Sequence, residues 1–234
     1  DDASGNDGQH DAWDVLKKEN TADYGSVMPF IILGTSGDDL AATPHVLSPP
    51  LMESLQNFLP YAVAEDNFWM KYSLLRDGAS MHTMLQTIRG AKYTIIALET
   101  WDGEVFGSFT SEPWRKNWNY YGTGEAFLWR MRQSRKTFCD SIIDQAHMES
   151  ELDVYPWIGE NNCVQLCTSD MLAIGGGEPE DMDAQKSKDK PKKGPEYGFG
   201  LTIDNELLYG TSPHCATFGS PPLSQEHSDG SRFE

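Results

Sequence analysis

From Lys92 onward the apolar residues stop recurring at helical spacing and fall instead into short, strand-like runs separated by glycine-bearing turns. Tyr93 to Glu99 and Glu104 to Phe109 flank Trp101-Asp102-Gly103, and Asp-Gly is a strong hairpin signal because both residues tolerate positive φ. Glu125 to Met131 alternates, with Phe127, Trp129 and Met131 on one side. Shorter strands are predicted at residues 153–157, 164–168, 171–174, 199–203 and 207–209. Many short strands and few helices restrict the chain to one class: mainly β with helices (α+β), an antiparallel β-sandwich covered by two main helices.

The two helices precede the change of period. One is predicted from Pro49 to Leu59, where Ser48 can cap, proline suits the first turn, and Leu51, Met52, Leu55 and Leu59 share a face. The other begins after Ser80, carries Met81, Met84, Leu85 and Ile88 at core spacing, and ends at Gly90. Residues 1–43 are expected to form an acidic, low-complexity N-terminal linker; residues 1–26, with Trp13, Val15 and Leu16 as their apolar anchors, have too little apolar surface to offset ordering and read as mobile with room for one short helix, and residues 38–43 repeat the polar pattern. The folded domain is expected over 44–234, with a charged, lysine-rich insert at 178–196 that reads as a mobile loop.

Charge narrows the partners. Lys and Arg number 18 against 36 Asp and Glu, a net charge of -18, and such a surface repels both phosphate backbones and anionic lipid. No apolar run reaches bilayer length. Four cysteines, Cys139, Cys163, Cys167 and Cys215, are too sparse for a disulfide framework and suit a reducing compartment. The chain starts at Asp1, so it reads as a fragment of a longer polypeptide whose targeting signals cannot be judged.

Five dense segments occur in a fixed order: Ser111-Glu112-Pro113-Trp114-Arg115, Tyr121 to Leu128, Trp157-Ile158-Gly159-Glu160-Asn161-Asn162, Leu172 to Gly177, and Phe199 to Phe218. Their order and content resemble the TLDc domain family, over roughly Ser48 to the C-terminus. The resemblance implies a β-sandwich flanked by helices, a non-enzymatic interaction domain of the oxidation-resistance type, and protection against oxidative damage. It also implies a protein partner, the cytosolic sector of the vacuolar proton-pumping ATPase, and a cytoplasmic location, peripheral to endolysosomal membranes through that partner. This sequence departs from the family pattern twice. It stops at Arg232-Phe233-Glu234, where a closing strand ending near a Trp-Gly pair is expected, and it carries Ala216 and Ser220 where relatives often have an acidic residue and Asn.

The motif residues nominate a binding site at Glu112, Trp114, Arg115, Glu125, Glu160 and Asn161. Trp and Arg are enriched in binding hot spots, so Trp114 and Arg115 could anchor a partner; equally, Trp114 could pack on the sandwich edge while Arg115 pairs with Glu112 or Glu125. Paired carboxylates among Glu112, Glu125 and Glu160 could act as acid and base, or Glu125 and Glu160 could bind backbone amides in Gly- and Asn-rich turns. No catalytic residue, cofactor or metal is assigned. An enzyme of hydrolase type using Glu125, Glu160 or His214 is the alternative, as is the C-terminal module of a membrane-trafficking, Rab-regulating protein. His214-Cys215 makes a poor catalytic pair, since neighbours on an extended chain point apart, and Cys163 and Cys167 are too distant along a strand to share a metal. Gly175-Gly176-Gly177 lacks the Gly-Lys-Ser/Thr ending of a phosphate loop.

Overall fold

The structure is a computed structural model that describes residues 32–33, 45–177 and 198–234. The linker expected over most of 1–43 and the insert expected at 178–196 lie outside the described residues. A short strand, β1 (Ile32–Leu33), pairs in parallel with β2 (Phe68–Trp69). Two antiparallel sheets follow. The first has the order β3 (Thr94–Glu99), β4 (Val105–Thr110), β6 (Phe127–Met131), β7 (Leu152–Pro156). The second contains β5 (Asn117–Tyr121), β8 (Gln165–Cys167), β9 (Met171–Ile174), β10 (Leu201–Asp204) and β11 (Gly210–Thr211), in the order β11-β10-β9-β8-β5.

The four-stranded sheet is buried on both faces, and alternation along its strands sorts the side chains. Phe106 and Leu128 enter the seam between the sheets, where they join Cys167, Leu172, Ile174, Leu201 and Ile203 from the other sheet. Val105, Phe109, Phe127, Trp129 and Met131 point the other way, onto helices. The predicted grouping of Phe127, Trp129 and Met131 is therefore present. At the β3–β4 turn Gly103 takes φ +74° but Asp102 stays out of the positive-φ region, so the hairpin closes through a longer turn in which Gly103 N–H donates to the Thr100 carbonyl, not through a two-residue Asp-Gly turn.

Helix α1 (Pro49–Gln56) lies on the outer face with Leu51, Met52 and Leu55 fully buried. Each such burial stabilises the fold by about 1.5–3 kcal/mol. Ser48 occupies the cap position, yet its side chain makes no capping hydrogen bond; its carbonyl receives the Met52 N–H instead, at 2.9 Å. Proline at the first helical positions already removes two of the orphan donors that a cap would satisfy. A short α2 (Leu74–Asp77) precedes α3 (Met81–Thr87), which is capped as expected by Ser80 Oγ accepting from Thr83 N–H. Met81 and Met84 fill the seam.

Sequence reasoning missed α4 (Ile142–Ser150), which packs beside α1 and sends Met148 into the outer core. Its second half is fixed by Ser54 Oγ donating to the Ser150 carbonyl and by Arg135 pairing with Glu149 at 3.3 Å. Both predicted helices are present: α1 shares the outer face with α4, while α3 packs into the seam. Strand β5 was also missed. Residues 207–209, predicted as a strand, form a turn: Leu207 has φ 58° and the Leu208 N–H donates to Asp204 Oδ1.

Candidate functional site

Strand register gathers the motif segments at one end of the sandwich. Thr94 pairs with Thr110, Phe127 with both Phe109 and Pro156, and Gln165 with both Tyr121 and Ile174, so the loops leaving these positions are neighbours. Those loops contain the Ser-Glu-Pro-Trp-Arg, Gly-Thr-Gly-Glu, Trp-Ile-Gly-Glu-Asn and triple-glycine segments.

Asn161 and Thr217 form the knot that joins them. Asn161 Oδ1 accepts from Cys163 N–H at 2.9 Å, its Nδ2 donates to the Gly176 carbonyl at 3.3 Å, and its own carbonyl accepts from Trp157 Nε1 at 2.7 Å. Thr217 is fully buried; its hydroxyl oxygen accepts from Gly176 N–H at 3.0 Å, and its proton has Asn161 Oδ1 and the Gly176 carbonyl within 2.9 Å. The glycines are required by close approach. A Cβ on Gly176 would sit 2.3 Å from the Tyr120 hydroxyl, and one on Gly124 would sit 2.4 Å from the Trp157 ring. Ser111 Oγ and Thr123 Oγ1 are hydrogen-bonded, and Gln165 Nε2 donates to the Glu112 carbonyl, which ties in the remaining segments.

The nominated residues divide. Trp114 is buried, stacks edge-on against Tyr121 and donates from Nε1 to Thr94 Oγ1 at 3.1 Å, so it packs in the sandwich. Arg115 stays exposed, lies 4.4 Å over the Tyr121 ring and pairs with Glu112 at 3.7 Å. The Tyr121 hydroxyl clasps the Arg115 backbone, accepting its N–H and donating to its carbonyl. Burial pushes the phenols of Tyr120 and Tyr121 up to about 12. Glu125 and Glu160 are exposed. The amide-binding role considered for them falls to Asn161 and to Thr123 Oγ1, which accepts from Glu125 N–H. Glu112 and Glu125 both act on the exposed Lys92 ammonium, although a hydrogen bond with Tyr93 is the larger cause of its raised pKa.

One exposed residue escaped the sequence reading. Trp118, on the sheet-edge strand β5, is 76% exposed and close to Arg115 in sequence. A signal was present, since Asn-Trp-Asn-Tyr-Tyr alternates polar and aromatic residues at the period of a strand. His214 and Cys215 lead into a tight bridge, Cys215 to Ser220, and Cys215 is buried with its sulfur facing Gly175 and Gly200. All four cysteines are free thiols. Among the described residues no group of three His, Cys, Asp or Glu is placed to hold a metal ion, and no helix is long and apolar enough to cross a membrane.

The opposite end of the sandwich holds a buried carboxylate that the sequence reading passed over. Glu104 receives Ser224 Oγ on Oε2, and Gln225 N–H (2.6 Å) and Glu226 N–H (3.3 Å) on Oε1. Nearby, Arg130 Nη1 donates to the Pro222 carbonyl, and Phe233 meets Phe106 edge-on at 5.0 Å. These ties fasten the segment after β11 across both sheets.

Comparison with known proteins agrees with the motif order. Oxidation resistance protein 1 of Rattus norvegicus is 29% identical over 189 residues, which cover 80% of this chain but 18% of that protein. The Podospora anserina protein of the same name is 28% identical over 227 residues, covering 85% of this chain and 60% of its own length. That of Yarrowia lipolytica is 26% identical, covering 79% and 69%. The chain therefore spans about a fifth of the rat relative and about 60% of the Podospora one. The TLDc domain profile matches residues 40–233, and the chain belongs to the TLDc domain family.

Proposed function

We propose that this chain is a non-enzymatic interaction domain that acts in oxidative-stress protection by binding the cytosolic sector of the vacuolar proton-pumping ATPase. It would work in the cytoplasm, peripheral to endolysosomal membranes through that partner. The observation carrying this reading is the division of labour at the motif end: Asn161, Thr217 and the glycines are committed to fixing the loops, while Arg115, Glu112 and Trp118 stand outside them. A rigid base with an exposed aromatic and an arginine is the composition of a binding hot spot. The family's oxidation-resistance members support the stress role. The charge of -18 disfavours nucleic acid and anionic lipid as direct ligands.

Immobilised pump sector should retain the purified chain, and Trp118→Ser with Arg115→Ala should weaken retention by about tenfold while leaving the melting curve in place. Absence of retention by the wild-type chain would remove the pump as partner. Retention unchanged in the double variant would remove only this anchor. If instead a hydrolytic turnover were found and were lost in a folded Glu125→Gln or Glu160→Gln variant, the enzyme reading would replace this one.

A further inference from the structure

Helix α4 buries Met148 but leaves the apolar residues of its first turn in water. Its N-terminus is conventionally capped, with Ser141 Oγ accepting from Asp144 N–H at 3.1 Å and donating to Asp144 Oδ2 at 2.7 Å. Yet the two residues just inside the cap, Ile142 and Ile143, are 69% and 68% exposed, and Phe138 in the preceding loop is 85% exposed. Packing of this helix is complete without them, through Met148, Glu149 and Ser150. Three large apolar side chains this close together in water have no role in the core, and a cluster of that kind marks an interaction surface.

A groove beside them is lined by Cys139, Asp140, Asp144, His147, Met148 and Glu151, together with neutral neighbours. Its three carboxylates face no Lys or Arg among the described lining residues. We infer that the first turn of α4 and this groove dock a cationic amphipathic segment of a protein partner. The partner's apolar residues cover Phe138, Ile142 and Ile143, and its Lys or Arg side chains reach Asp140, Asp144 and Glu151. Charge complementarity selects this occupant, since the same carboxylates repel an anionic membrane or an acidic peptide. The surface follows the end of β6 opposite the motif loops, so it is independent of the site proposed above.

The test uses the whole chain and a fluorescent peptide of Leu and Lys, with Leu at helical i, i+3, i+4, i+7 spacing, read by anisotropy. A scrambled peptide of the same composition is the control. Phe138→Ser with Ile143→Ser should weaken binding about tenfold, and Ile142→Lys, which adds a repelling charge at an exposed position, should do the same. Asp140→Asn with Asp144→Asn should weaken it about threefold and flatten its salt dependence. Circular dichroism would verify that each variant is folded. Equal binding of the scrambled peptide, or unchanged affinity in the folded Ser and Lys variants, overturns the proposal. So does stronger attachment to vesicles rich in phosphatidylserine than to the peptide. Tighter peptide binding after deletion of residues 178–196 would give the surface to this chain's own lysines and would equally overturn it.

Discussion

The two ends of the sandwich are held shut by different chemistry. At the motif end, closure is spread over neutral groups: a threonine hydroxyl, an asparagine amide and glycine backbone, each satisfying another at 2.7–3.3 Å. At the opposite end it is concentrated in one carboxylate, Glu104, which collects three donors from consecutive residues 120 to 122 positions later. The first is a mesh of mutually dependent neutral bonds, whereas the second hangs on a single buried anion with three donors.

The largest effect should therefore come from Glu104→Ala, which strands all three donors and should cost about 3 kcal/mol or more in urea unfolding. A loss below about 1 kcal/mol would break the contrast, because it would mean that water substitutes freely for the carboxylate. Thr217→Val keeps the shape but removes the hydroxyl at the centre of the knot, and should cost about 2 kcal/mol. Adding Asn161→Ala should cost less than the sum of the two single changes, since both side chains donate to the Gly176 carbonyl and are bonded to each other. Strict additivity would show two independent ties rather than a knot.

Alkaline pH should distinguish the ends in another way. Tyr120 and Tyr121 on β5 titrate near 12 in the fold against an ordinary value of 10.0. The unfolded chain therefore releases these protons first. The stability this gives is complete below about pH 10 and is lost as pH rises toward about 12. Tyr120→Phe with Tyr121→Phe should flatten the stability profile in that window, and a profile equally steep in the double variant would place the alkaline sensitivity elsewhere. The smallest effect is expected from Glu125→Gln and Glu160→Gln. Both side chains are exposed, so the unfolding midpoint should not move, and a clear shift would assign them a structural role at the motif end.

Legibility follows the range of the interactions. The Ser80 cap, the Met81 and Met84 core face and the Asp102-Gly103 hairpin are set within a few residues, and a reader of sequence finds them. Helix α4 was hidden because Ile142 and Ile143 face water while Glu149 is buried, which inverts the pattern that reveals an amphipathic helix. Leu207 looks like a strand residue, but a left-handed turn held by Asp204 outweighs its propensity. At the candidate site, the Glu112–Arg115 pair was readable from its spacing, and the choice between an anchoring and a packed Trp114 needed the position of Thr94. Glu104 could not be singled out at all, because nothing near it in sequence distinguishes a clamped carboxylate from a solvated one.

The fastening of residues 222–233 across both sheets also sets a timetable. During synthesis every strand of the sandwich leaves the ribosome before Ser224, Gln225 and Phe233 do. Through that interval the Glu104 carboxylate lacks its donors, and the Phe106 face of the seam lacks the ring that later covers it. Contacts of such long sequence separation form late and slowly. The nascent domain therefore passes through a stage with its strands present and its seam open, when a chaperone has apolar surface to hold, and that stage ends only when residues 222–233 arrive.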